Sequence, residues 1–212
     1  MKITGDPKEG GYIEKAELEL IESLPQGEIT VFDVGANVGE FTQAVLERRG
    51  EANVFAFEPD VDGRRKIRSF APTRRVQVLG ALSDKAGRRE FFSDSPASQL
   101  GTFFPRPSLP EVKMNWTGSL LTSTVTDIVA EYGLNWIDYM KLDCEGSELD
   151  ILRGAAAVLD RIDLVSWELL RENRYTDATL ADFTEILDGE FDVAPLGDAP
   201  DSAILWVARR RA

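Results

Sequence analysis

The chain reads as an α/β fold with a mostly parallel sheet, and three observations lead there. Apolar strand-like runs alternate with segments of helical period along most of the 212 residues. The run Asn53-Val-Phe-Ala-Phe57 is apolar on both faces, as a central parallel strand should be. Residues 31–42, Val31-Phe-Asp-Val-Gly-Ala-Asn-Val-Gly-Glu-Phe-Thr42, carry a strand through a glycine turn into a helix. Parallel strands need right-handed crossovers, and ligands of such sheets bind beyond the carboxyl ends of the strands, where strand order reverses.

The elements follow in order. Residues 13–24 place Ile13, Ala16, Leu20 and Leu24 at helical spacing, with Gly10-Gly-Tyr12 as a hinge before them. A strand is expected over 29–34 and a helix over about 37–49, closed by Gly50. After the strand ending at Phe57, residues 60–70 hold Arg64, Arg65, Lys66 and Arg68, read as a solvated helix face because no aromatics interleave with them. A strand over 76–82 and a short one over 89–92 come next. Residues 93–118 carry Pro96, Pro105, Pro107 and Pro110 with several aromatics, the composition of a long loop folded back over a pocket. Further strands are expected over 120–125, 137–143 and 164–167, with helices to about Tyr132, over 147–159, and around Leu180–Leu187. Thr124-x-x-Asp127 and Ser147-x-x-Asp150 have the spacing of capping pairs. Residues 191–195 and 203–208 form a closing hairpin, and one domain over 1–212 suffices.

Composition narrows the chemistry. Thirty-seven acidic against 24 basic residues give a net charge of -13, which repels phosphate backbones and argues against a nucleic-acid partner. There is no histidine, so a histidine base, a Ser-His-Asp triad and histidine metal ligation are excluded. Cys144 is the only cysteine, which removes any internal disulfide and fits a reducing compartment. No signal-like or membrane-spanning run is present, so a cytoplasmic protein with no membrane partner is expected.

The strand ends collect polar residues: Asp33, Glu58, Ser83-Asp84, Asp143-Cys-Glu145 and Glu168. Carboxylates crowded at one rim oppose folding unless a cationic or hydroxyl-rich ligand occupies it. The glycine turn between Gly35 and Gly39 should offer free N–H groups to such a ligand. Its D-x-G-x-N-x-G spacing is neither the dinucleotide nor the phosphate-loop pattern. Glu58 lies 19 residues after Gly39, near the ~20-residue offset at which an acid accepts ribose hydroxyls. Asp33 either holds the turn or faces the ligand's ammonium, and Asp84 either accepts from an adenine amino group or merely ends a turn. Asp143, at the pocket end of its strand, is the foremost catalytic candidate.

In this order and spacing, Asp33-Val-Gly-Ala-Asn-Val-Gly39, Phe57-Glu-Pro59, Ala81-Leu-Ser-Asp84, Thr126-Asp127 and Lys141-Leu-Asp-Cys-Glu-Gly-Ser-Glu148 resemble the FkbM-type methyltransferases. The resemblance implies a Rossmann-like class I fold with seven strands, S-adenosyl-L-methionine as cofactor, and O-methylation of a hydroxyl on a small molecule or sugar. It places Asp33, Gly35, Ala36, Asn37 and Gly39 by the cofactor's amino-acid end, Glu58 and Pro59 by the ribose, and Ser83 and Asp84 by the adenine. Asp143 would then touch both cofactor and acceptor. Without histidine, the candidate bases are Asp143, Glu145, Lys141 and Glu168. These acids have cofactor roles already, so no metal is assigned. An NAD(P)-binding oxidoreductase and a catalytically silent S-adenosylmethionine-binding module are the alternatives.

Overall fold

The structure, a computed structural model, describes residues 15–71, 74–104, 115–170, 176–187, 189–197 and 203–211. The Gly10-Gly-Tyr12 hinge, Ile13 and residues 105–114 of the Pro-rich loop lie outside these described residues.

Ten strands and six α-helices are described: β1 (Thr30–Val34), β2 (Asn53–Phe57), β3 (Val76–Leu79), β4 (Ala81–Leu82), β5 (Gly87–Ser93), β6 (Asn115–Ser123), β7 (Tyr139–Leu142), β8 (Leu164–Leu170), β9 (Phe191–Leu196) and β10 (Ala203–Arg210). The helices are α1 (Lys15–Ser23), α2 (Glu40–Arg48), α3 (Val61–Phe70), α4 (Val125–Tyr132), α5 (Glu148–Gly154) and α6 (Leu180–Leu187). Seven strands form one sheet in the order β3-β2-β1-β7-β8-β10-β9. The first five are parallel, and β10 runs antiparallel to both β8 and β9. Strand order reverses between β1 and β7, which is where a crevice opens above the sheet.

Alternation along each strand builds two cores. On β1, Val31 joins one cluster with Val45, Val54, Ile67 and Tyr139, under α1, α2 and α3. Phe32 and Val34 join the other, with Phe57, Leu142, Ile151 and Trp167. Trp167 stacks on Phe183 of α6 with ring centroids 5.0 Å apart, which docks that helix on the second face.

Several boundaries differ from the sequence reading for local reasons. The expected strand over 76–82 divides at Gly80: β3 stays in the large sheet, while β4 enters a small sheet ordered β4-β6-β5. That second sheet absorbs part of the Pro-rich loop, since β6 begins at Asn115. The helix expected from 147 to 159 stops at Gly154 and continues as a 3-10 turn over Ala156–Arg161. Thr124 and Asp127 do form a reciprocal capping box on α4, a device worth ~0.5–2 kcal/mol. In α3, Arg65, Lys66 and Arg68 are exposed, and the three arginines also bond within the molecule: Arg64 donates to the carbonyls of Glu58 and Pro59, Arg65 pairs with Asp62, and Arg68 donates to the carbonyl of Val78. No helix among the described residues is long and apolar enough to cross a membrane.

Candidate active site

A cleft of about 520 Å³, counting its solvent-open mouth, lies over the carboxyl ends of β1, β2 and β7. Two turns shape it, and the first depends on glycine. Gly35 sits at φ +83, and a Cβ there would stand 1.8 Å from the carbonyl oxygen of Asp143. Only a residue without a side chain lets the end of β1 approach β7 this closely.

The turn does not offer free N–H groups, contrary to the sequence reading. Gly35 and Ala36 donate to the carbonyl of Phe57, Asn37 to Glu58 Oε2, Val38 to the side chain of Asn37, and Gly39 to the carbonyl of Ala36. Helix α2 therefore starts at Glu40 instead of Asn37, because Asn37 and Gly39 both hold positive φ. Ala36 and Gly39 stay outside the cleft lining. The absent side chain of Gly39 leaves room for Ile67 and Phe70 of α3.

Asn37 ties three segments together. Its backbone N–H meets Glu58, and its side-chain amide donates to the carbonyls of Ala97 and Ser98 at 3.3 and 2.9 Å. The stretch after β5 is thereby drawn across the cleft, where Ser98, Gln99, Gly101 and Phe103 join the lining. Thr102 fastens the far side, with its hydroxyl donating to the carbonyl of Glu145.

Glu58 lies at the cleft with 5% of its surface exposed. Its two oxygens accept the N–H groups of Asn37 and Asp60 at 2.8 and 2.6 Å. Burial pushes its carboxyl up to about 8, against the opposing pull of those two donors. Pro59 lines the cleft beside it. Asp143 also lines it, half exposed, with Oδ2 held 2.8 Å from Lys141 Nζ. Glu145 lines the same wall with backbone φ of 52, and Glu148 accepts the N–H groups of Cys144 and Gly146 to hold the turn. Burial raises Glu148 to about 7.

Other expected site residues are placed elsewhere. Asp33 shares the strand parity of Val31, so it points into the face under α1 and α2, fully buried, and accepts the Thr42 hydroxyl at 2.6 Å. Lys141 has the parity of Tyr139 and lies in the same buried layer, 3.9 Å from Glu17 and over the Phe41 ring. Burial alone would lower Lys141, but Asp143, Glu17 and Asp33 outweigh it and hold the ammonium well above its usual value. Lys141 stays outside the cleft lining and meets it only through the carboxylate of Asp143. Ser83 and Asp84 also lie outside the lining, which stops at Leu82. Ser83 donates to Asp84 and accepts from Arg89, which pairs with Asp150 of α5. Glu168, on β8, is half-buried and outside the lining too.

The described residues include no group of three or more His, Cys, Asp or Glu arranged to hold a metal ion. Chemically, the cleft brings together a buried carboxylate at Glu58, apolar side chains at Leu82, Phe91, Phe103 and Ile151, and a half-exposed carboxylate at Asp143.

The sequence pattern of the methyltransferase FkbM domain matches residues 33–188, which span both turns and the cleft between them. The chain belongs to the FkbM methyltransferase family. This FkbM-family enzyme is 25% identical over 173 residues to the 2-O-methyltransferase NoeI of Sinorhizobium fredii, covering 76% of this chain and 71% of that one. It is 30% identical over 155 residues to the hexuronic acid methyltransferase AglP of Haloferax volcanii, covering 71% of this chain and 59% of that one. It is 28% identical over 191 residues to the 31-O-demethyl-FK506 methyltransferase FkbM of Streptomyces tacrolimicus, covering 75% and 70%.

Solved structures agree on the class I methyltransferase fold. A precorrin-6y C5,15-methyltransferase from Geobacter metallireducens aligns with TM-score 0.52 at 14% identity, covering 97% of this chain and 96% of that one. A Streptococcus mutans methyltransferase-like protein in complex with SAH aligns with TM-score 0.54 at 11% identity, covering 94% and 99%.

Sequence reasoning missed several lining residues of this FkbM-family cleft. Phe91 reads only as part of a short strand, Ile151 only as part of a helix, and Ser147 as half of a capping pair, yet all three line the cleft. For the strand residues Asp33 and Lys141 a signal was available: strand parity places them on the buried face with Val31 and Tyr139.

Proposed function

We propose that the chain is an S-adenosyl-L-methionine-dependent O-methyltransferase acting on a hydroxyl of a small molecule or sugar. One observation carries the reading: Gly35, Glu58 and Asp143, from three separate strand ends, line one cleft at the point where strand order reverses. The fit to the cofactor rests on Glu58, a buried carboxylate that lines the cleft and is able to accept the ribose hydroxyls. Gly35 leaves the backbone bare beside Asp143 for the amino-acid end. The cofactor, when bound, supplies an electrophilic methyl group on a sulfonium.

The remaining work falls to the protein. Alignment of the acceptor oxygen dominates such a displacement and is worth ~7–11 kcal/mol at best. The segment over 93–104, held by Asn37 and Thr102, walls the cleft and limits water. Asp143 takes the hydroxyl proton on a carboxylate oxygen as the new bond forms, a contribution of ~10²–10⁴-fold. Lys141 fixes that carboxylate from below. Glu145 stands on the same wall to orient the acceptor.

A polyanionic acceptor is disfavoured by the charge of -13 and by the engagement of the α3 arginines within the molecule. The lone cysteine fits a cytoplasmic setting, where thiols stay reduced.

Calorimetric titration tests the cofactor: S-adenosylhomocysteine should bind and NADH should not, and the reverse would defeat the reading. Incubation with methyl-labelled cofactor and a metabolite extract should then label a small, hydroxylated product. Label appearing only on an amine would refute O-methylation.

A further inference from the structure

Ser147 occupies the position before α5 where a serine usually caps a helix with its hydroxyl. Here it does not. Its backbone is already helical at φ -92, ψ -2, and its side chain makes no bond to the helix. The N–H groups of Cys144 and Gly146 are taken by Glu148, and Asp150, the expected capping partner, pairs with Arg89. Ser147 is 1% exposed and its Oγ has no hydrogen-bond partner, yet the residue lines the cleft. Buried hydroxyls are almost always bonded, so one without a partner in a residue that lines a cleft points to a ligand there.

Its place along α5 says which part of the ligand. Ser147, Ile151 and Gly154 fall on one face, at successive turns. Gly154 packs so closely on the end of β4 that a Cβ would stand 2.3 Å from the carbonyl oxygen of Ser83. That face of α5 therefore runs along β4: Ile151 shares a core cluster with Leu82, and both line the cleft with Phe91 and Phe103, one helical turn from Ser147. An apolar slot with aromatic walls and one hydroxyl that can both donate and accept suits a flat nitrogen heterocycle.

We propose that the Ser147 hydroxyl hydrogen-bonds the adenine base of the methyl donor, a contact the sequence had suggested for Asp84. The proposal rests on reading the cleft as the S-adenosylmethionine site.

The test uses the full chain and Ser147→Ala. Calorimetry should show S-adenosylhomocysteine binding about fivefold more weakly, the scale of one hydrogen bond. Adenosine alone should lose the same factor. The unliganded variant should melt at the same temperature or higher, because a buried unbonded hydroxyl has been removed. Unchanged affinity for S-adenosylhomocysteine would overturn the contact. So would a loss seen with S-adenosylhomocysteine but not with adenosine, which would put the contact at the amino-acid end. A clearly lower melting temperature would show that the hydroxyl is bonded within the protein. A folded wild type that binds no S-adenosylhomocysteine would remove the cofactor reading and this proposal together, a result distinct from wild type and variant binding alike.

Discussion

The two turns that meet over the sheet solve opposite problems. In the turn after β1, every N–H from Gly35 to Gly39 has a partner inside the protein, and three of five residues hold positive φ. In the turn after β7, Glu148 satisfies two N–H groups, but Asp143 is half exposed and Ser147 Oγ has no partner. The first turn spends its polar groups on holding shape. The second keeps side chains open for chemistry. They touch at Gly35 and the carbonyl of Asp143. The lesson is that a glycine-rich turn at a ligand cleft can act by bringing the other turn close, without donating a single N–H to the ligand.

Breaking that contact should have the largest effect. In Gly35→Ala the new Cβ would lie 1.8 Å from the carbonyl oxygen of Asp143, and the φ of +83 is strained for alanine. The obstacle is backbone in a paired strand end, so no flexible side chain can move aside. A loss of more than about 4 kcal/mol in chemical denaturation is expected, with cofactor binding lost as well. A variant with wild-type stability would show that the two turns are separable.

How much of this was legible in the sequence depends on the range of the interaction. The strands of the large sheet are visible as short apolar runs, and the reciprocal Thr124–Asp127 cap is local, so both could be read directly. The small sheet could not, because β5 pairs with β6 across the Pro-rich segment and the break at Gly80 leaves no periodic signal. Ser147 and Asp150 have the spacing of a cap, but Arg89, 61 residues away, takes the aspartate. Glu17 is buried beside Lys141 because α1 packs under the sheet, a long-range contact that leaves no mark in the local sequence. The placement of Glu58 and Asp143 at the cleft was legible because both simply end strands.

The chemical role of the second turn is sharpened by Asp143→Asn. The amide keeps the size of the side chain and can still meet Lys141 Nζ with its oxygen, but it cannot take a proton from an acceptor hydroxyl. We expect kcat to fall about 10²-fold, while the affinity for S-adenosylhomocysteine changes less than threefold. Equal losses in both would make Asp143 a binding residue, and Glu145 would become the base to test.

The smallest effect concerns Glu58, which belongs to both turns' cleft but is wired by the first. Its carboxyl is pushed up to about 8 by burial, from a usual value of 4.5. Between those values the folded protein keeps a proton that the unfolded chain releases, so this group's share of stability is complete below about 4.5 and is lost as pH rises through 8. Glu148, raised to about 7, acts in the same direction. Ribose hydroxyls donate to the ionised carboxylate, so cofactor binding has the opposite pH dependence and should strengthen from pH 6 to 8, then level off. Melting curves across that range should fall for the unliganded protein and converge upward when S-adenosylhomocysteine is present. Glu58→Gln, which carries no titrating proton, should weaken binding by ~1–3 kcal/mol and flatten its pH dependence. An affinity for S-adenosylhomocysteine that stays constant from pH 6 to 8 in the wild type would mean that the ribose does not rest on this carboxylate.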